Sequence, residues 1–357
     1  MKKIFFVLVL LLVFTTEAGA SYYVDYRVTP TLNTIHIINI GKVGKVFPTV
    51  DGDFLYIGNK DGRFYKINWR KRDVIWKIKL KTSIGSSAVC FNDDVFIGDD
   101  SGVLYCIHKS SGKIKWKKQF DFPILGKLSI YKNKIFLCTE DNSVWCVSAN
   151  LGEILFAFHK PYEMVSLRGV CSPVFDGDFM YVGFNDGYIY KVDLSTGGEK
   201  WGIFVGQGEK FFDVDGDASL SENIVFVTCC NGWTAAIDKK EGQVIWKRQI
   251  SSYSNVVAMP VFLVVPAKNG EMISLDLDSG EEIWKLKISH KPICAFAFVM
   301  HDIIYALTQE GKIIAIDEEG KIVNTKKLDG SFNSGFSIFN KRLFAVSEKG
   351  KIFVVGE

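Results

Sequence analysis

Between Asp176 and Trp201 apolar and polar positions alternate in blocks. Phe179-Met180-Tyr181-Val182 is apolar on both faces of a strand, as in a sheet buried between two others. Asn185-Asp186-Gly187 then supplies a hairpin turn, its glycine free to take positive φ. A second strand, Tyr188 to Asp193, leads through Ser195-Thr196-Gly197-Gly198 into a third that carries Trp201. Such a meander cannot bury both of its faces alone. The chain repeats it.

Seven further copies keep the same order. Asp61-Gly62 precedes Trp76, Ser101-Gly102 and Gly112 precede Trp116, Asn231-Gly232 and Gly242 precede Trp246, and Asn269-Gly270 and Gly280 precede Trp284. The third copy is degenerate, with Asp141-Asn142 at the turn and Phe156 in place of Trp; the seventh has Glu310-Gly311, Gly320 and then Asn324. The last has Lys349-Gly350 and stops at Val355. A period of about 40 residues is that of propeller blades, four-stranded sheets that bury both faces by stacking in a ring. The Trp after each glycine turn is expected to wedge between neighbouring blades, contributing roughly 2–3 kcal/mol per buried ring.

The final copy is one strand short, and Thr34 to Ile40 is a strand with no copy of its own. Pairing the two closes the circle and removes an exposed edge. The predicted fold class is therefore all-β: an eight-bladed β-propeller closed by the N-terminal strand, one domain over residues 21–357. If the degenerate third copy were an insertion, the ring would have seven blades.

Met1-Lys2-Lys3, the apolar run Ile4 to Phe14 and the small residues Ala18-Gly19-Ala20 read as a signal peptide over residues 1–20, cleaved before Ser21. The run is short for a bilayer span, which needs about 20 residues. Export to the periplasm is the expectation. The first cysteine is Cys90, so no lipoprotein acceptor follows the cleavage point.

Composition supports one β domain: 48% of residues are hydrophobic, and no linker or charge block interrupts the repeat. The net charge of +3 comes without the concentrated basic face that nucleic acid requires. Eight cysteines in an exported chain raise the question of disulfides. Cys138 and Cys146 flank a hairpin turn, but most, such as Cys90 and Cys106, lie inside apolar strands and read as small buried hydrophobes. A mostly reduced state is favoured, and no connectivity follows. Without a CxxC, and with five scattered His, metal-ligand spacing is absent.

The acidic run Asp213-Val214-Asp215-Gly216-Asp217 looks metal-like, yet an EF-hand loop needs Gly at its sixth place and Glu at its twelfth. Ala218 and Ile224 stand there, so calcium is not expected. No serine-hydrolase or paired-carboxylate arrangement emerges, and neither a catalytic residue nor a cofactor is predicted.

The blade signature, Ala236-Ile237-Asp238 with Gly242-Gln243-Val244-Ile245-Trp246 downstream, resembles the Trp-docking repeats of pyrroloquinoline quinone (PQQ) dehydrogenases. Those enzymes carry a vicinal disulfide against the cofactor, and Cys229-Cys230 would be its counterpart. Here the pair lies immediately before Asn231-Gly232, at a hairpin tip. The enzymes are also much longer, with blade insertions that build the quinone and calcium site. A quinoprotein dehydrogenase is accordingly the alternative reading, alongside a generic exported protein-binding propeller.

A more specific likeness lies in two interblade loops. Ser166-Leu167-Arg168-Gly169 with Ser172-Pro173, followed by Asp213-Val214-Asp215, resembles the mid-section of the BamB family, eight-bladed propellers of the outer-membrane β-barrel assembly machinery. The similarity continues through Asn231-Gly232 to Lys247-Arg248, and the repeat pattern covers essentially the mature chain. The resemblance implies a non-enzymatic scaffold at the inner face of the outer membrane, binding POTRA domains of BamA-like subunits. Other subunits of the machinery and unfolded outer-membrane proteins are further implied partners. Carried over by position, the implied contact set is Val165, Leu167, Arg168, Asp213 and Asp215, with Val165 where the family commonly has Leu. An exposed Leu beside an Arg makes an anchor-plus-charge hot spot, and the two Asp can hold the Arg fork or pair with partner cations. The alternative is that Arg168 merely ties the two loops together through Asp213. Lipoprotein relatives carry an acceptor Cys where this chain has Ala20-Ser21, so membrane association is expected to run through protein partners.

Overall fold

Each repeat becomes a four-stranded antiparallel meander in the computed structural model, the third gaining Ser86–Ser87 as a short parallel fifth strand; the structure describes residues 30–161, 172–207, 213–214, 216–290, 296–300 and 302–356. The expected signal peptide, residues 1–20, lies outside the described residues. Blade one comprises Thr49–Asp51, Phe54–Gly58, Arg63–Asn68 and Asp73–Lys79. Blades two to seven occupy residues 89–119, 124–159, 174–204, 219–248, 257–287 and 296–327. The degenerate third copy forms a full blade, so the ring has eight blades.

Burial follows strand position. The second and third strands of each blade, such as Phe54–Gly58 and Arg63–Asn68, are buried along almost their whole length because a neighbouring blade covers each face. The outermost strand alternates instead. In Asp73–Lys79 the residues Val74, Trp76 and Ile78 are half-buried, while Ile75, Lys77 and Lys79 stand in water.

The Trp rings join the blades. Each lies on the turn glycine of the next blade: Trp76 on Gly112, Trp116 on Gly152, Trp201 on Gly242, Trp246 on Gly280 and Trp284 on Gly320. A Cβ on Gly280 would stand 2.5 Å from the Trp246 ring, and its φ of +69° is strained for any L side chain, so two constraints select glycine there. The indole N–H donates to a carbonyl of the same turn, from Trp76 to Lys109 O (2.9 Å), Trp246 to Leu277 O (2.8 Å) and Trp284 to Glu318 O (2.8 Å). Trp116 is the exception, its buried N–H having no partner among the described residues.

Three blades lack the Trp, and the third and seventh are repaired differently. Phe156 keeps the stacking, lying on Gly197 without a hydrogen bond to offer. Asn324 cannot stack; its Nδ2 donates to Pro30 O (2.8 Å), and Leu32 joins the core cluster of Leu328 and Phe332. The segment preceding the first strand thus fills the vacant wedge.

Closure is as expected. Thr34–Asn39 pairs antiparallel with Lys351–Val355, completing a blade with Ser337–Phe339 and Arg342–Val346. At the joint with blade one, Trp69 packs edge-on against Phe344 with ring centroids 5.3 Å apart.

Two interfaces carry an ionic strut as well. Lys66, opposite Trp76 in blade one, donates to Lys109 O (2.9 Å), while Lys109 Nζ pairs with Asp51. Lys191, opposite Trp201 in blade four, repeats this with Lys239 O (2.6 Å), and Lys239 pairs with Asp176. Burial, the largest cause, pushes the pKa of both Lys66 and Lys191 below the usual lysine value.

Removing a docked ring should cost far more than removing an exposed aliphatic. Trp246 is 7% exposed and Ile283 53%. Trp246→Ala is expected to lower unfolding stability by about 3–5 kcal/mol, and Ile283→Ala by no more than about 0.5 kcal/mol. Urea denaturation of the two variants checks the contrast.

Candidate partner-binding site

The loops singled out in the sequence lead into and out of blade four. Their geometry follows a rule set elsewhere in the ring. After blades one and two, an apolar residue in the interblade loop or at the start of the next blade presses onto the glycine ending a second strand, Ile84 on Gly58 and Ile124 on Gly98. Val214 does the same on Gly183, where an added Cβ would lie 2.2 Å from Val214 Cγ1. The preceding carbonyl accepts a backbone N–H from the next blade: Ser83 O from Asp100, Pro123 O from Glu140 and Asp213 O from Cys230 (3.0 Å).

This wedge draws Asp213 inward. It is 1% exposed, with Cys230 Sγ 3.9 Å from its carboxylate. The resemblance implies Asp213 as a partner contact, but beside the buried wedge residue Val214 its side chain lies beneath the surface. Val165, Leu167, Arg168 and Asp215 lie outside the described residues.

Asp217 reaches toward the centre of the ring. Its carboxylate accepts Ser172 N–H (2.7 Å), Lys127 Nζ (3.1 Å) and Asn255 Nδ2 (3.3 Å), and its own N–H donates to Asn255 Oδ1 (3.2 Å). Lys127 Nζ also sits 4.1 Å from the centre of the Phe47 ring. Ser87, Lys127, Asp217 and Asn255 occupy one position of the repeat, three residues after the wedge, on the innermost strands and the loops entering them. The group therefore braces the channel mouth and ties the end of the first loop, Ser172, to the second. Lys127 and Asn255 carry no mark in the sequence; alignment of the repeats on Ile84, Ile124 and Val214 is the signal that finds them.

Beside these loops, the turn of blade four holds Asp186, which accepts the Tyr190 hydroxyl (2.6 Å). Burial, the larger effect, pushes the Asp186 carboxyl above the usual range, while the Tyr190 bond acts in the opposite sense. Among the described residues no cluster of His, Cys, Asp or Glu is placed to hold a metal ion. Cys229 and Cys230 are both buried, 0% and 1% exposed.

Eight sheets joined by Trp on Gly and closed by an N-terminal strand define an eight-bladed β-propeller of the PQQ-like repeat class. A family model described as outer membrane protein assembly factor BamB matches residues 60–286 and 268–355, and the chain belongs to that family. The BamB of Legionella pneumophila (strain Paris) is 32% identical over 97 residues, 26% of this chain and 25% of that protein. The match thus spans about a quarter of the curated relative. Among solved structures, BamB from Moraxella catarrhalis superposes with a TM-score of 0.81 at 18% identity, covering 91% of this chain and 100% of that one. Quinohemoprotein alcohol dehydrogenase from Comamonas testosteroni gives 0.73 at 12% identity, covering 91% and 75%. Both likenesses are of fold.

Two outcomes follow, one for thiols in blades two and three and one for the Asp217 tie. Burial pushes the thiols of Cys90 and Cys106 up to about 12 and that of Cys146 to about 11. At pH 8 about one thiol in a thousand or fewer is then ionised. Iodoacetamide at that pH is expected to spare all three in the native protein and to label them rapidly in urea, as read by peptide mass spectrometry. Asp217→Ala leaves Lys127, Ser172 N–H and Asn255 without their shared acceptor. Because the Lys127 side chain is 29% exposed, water offsets part of the loss, and about 1–2 kcal/mol of stability is expected to go. Urea midpoints give the cost, and faster amide exchange from Ser172 onward would locate it.

Proposed function

We propose that this chain is a non-enzymatic, periplasmic assembly factor for outer-membrane proteins, and that its blade-four loops dock POTRA domains of a BamA-like subunit. Membership of the BamB family supports the general role. The observation that carries the docking face is the tie between the loops: Asp217 binds Ser172 N–H at 2.7 Å, bringing the ends of both segments together. That tie holds the described ends of the two segments close enough for one partner to engage both.

In this reading Leu167 is the apolar anchor, Arg168 the charged partner, and Val165 and Asp215 complete the contact. Asp213, being buried, acts from beneath as a positioning residue. The same propeller would meet other subunits of the machinery and unfolded outer-membrane proteins, and would reach the membrane through its partners. Its acids support a scaffold, since Asp217 is already engaged by three structural donors.

Capture of the host's BamA-type POTRA domains tests the reading. Wild type is expected to retain them, and a Leu167→Ala, Arg168→Glu double variant with an unchanged circular dichroism spectrum to lose them. Failure of the wild type, or undiminished capture by the variant, would remove the proposed face.

A further inference from the structure

The interface between blades five and six departs from the ionic-strut pattern at three positions of the repeat. Opposite the docked Trp, where blades one and four have Lys66 and Lys191, blade five has Ala236. At the turn after the third strand, where Lys109 and Lys239 stand, blade six has Leu277. At the end of the first strand, where Asp51 and Asp176 receive those lysines, blade five has Ser221. The interface between blades three and four fills the same space with a larger pair, Tyr131 and Phe175 stacking at 4.7 Å. Here all three side chains are shorter than those of the strut.

The result is an open notch of about 550 Å³, whose apolar lining includes Leu220, Ile224, Met259, Pro260 and Leu277. Its lip is apolar too. Turns joining first and second strands elsewhere read Gly52-Asp53, Asn92-Asp93 and Gly177-Asp178, but blade six has Pro260-Val261, with Val261 67% exposed. Glu222 and Asp278, both exposed, flank the opening, and neither carboxylate has an ion-pair partner among the described residues. In an antiparallel meander these turns open on the face opposite the interblade loops. The notch is thus separate from the blade-four surface and independent of its role.

We propose that this notch is a second docking site, for an extended partner segment presenting one bulky apolar side chain followed by Lys or Arg. The notch has room for an aromatic anchor. The two unpaired carboxylates supply the charge that selects a basic neighbour and repels an acidic peptide or an anionic surface.

Methyl NMR on the full mature chain tests it, with acetyl-Trp-Lys-Lys-amide as probe and acetyl-Trp-Glu-Glu-amide and acetyl-Ser-Lys-Lys-amide as controls. The probe is expected to shift the methyls of Ile224, Met259 and Leu277 saturably, and the controls to leave them in place. Ser221→Asp with Leu277→Lys rebuilds the strut and closes the notch, abolishing the shifts. Glu222→Lys with Asp278→Lys alters only exposed turns, preserves the fold, and should weaken binding about tenfold. No saturable shift in wild type, equal response to the acidic peptide, or full affinity in the charge-reversed variant would overturn the proposal.

Discussion

The seating of an indole ring on a glycine of the following blade is the contact on which the ring depends. Every blade is apolar on both faces, so burial alone would press the sheets together without fixing their spacing or rotation. A ring that fits only where the opposite residue has no side chain does fix them. Its hydrogen bond to the same turn adds direction. The departures show how strict the demand is: Phe156 retains stacking and gives up the hydrogen bond, whereas Asn324 calls in the chain's own N-terminal segment as filler. At the ring's joint the geometry changes again, and Arg72 holds the turn with a φ of 60° where other blades have glycine.

A second layer of order grows from the interblade loops. After blades one, two and four a small wedge enters the groove left by a strand-ending glycine, and that step aims the residue three places later at the central channel. Three polar side chains at this position, Lys127, Asp217 and Asn255, converge across blades three to six. A loop that looks like a string of acids is thereby divided by function, one carboxylate inside the wall and one in the channel. Local steric need, set by Val214 on Gly183, decides which is which.

Much of this was legible in advance, because the period of the turns, the glycine–Trp spacing and the orphan N-terminal strand are all local signals repeated many times over. The depth of Asp213 was not. Acidity suggests a surface, and only the blade-wide role of Val214 reveals the opposite. Nor was the Lys127–Asp217 pair, since partners 90 residues apart leave no periodic trace. The notch between blades five and six is of a third kind. Ala236, Leu277 and Ser221 are each unexceptional, and their meaning appears only when all three fall at one interface.

Closure by the N-terminal strand has a consequence for how the molecule comes into being. Thr34 pairs with Val355, so the bond that completes the circle joins the first described strand to the last. Seven blades can form as they emerge, each from contiguous chain with short loops to close. The eighth has to wait, because its outer strand is made first and its inner three last. A chain released early would leave Thr34–Asn39 unpaired and a bare sheet edge at the other end of an open arc, two surfaces ready for proteases or for another chain. Circularity thus works as a late check: the ring shuts only once Lys351–Val355 has been made.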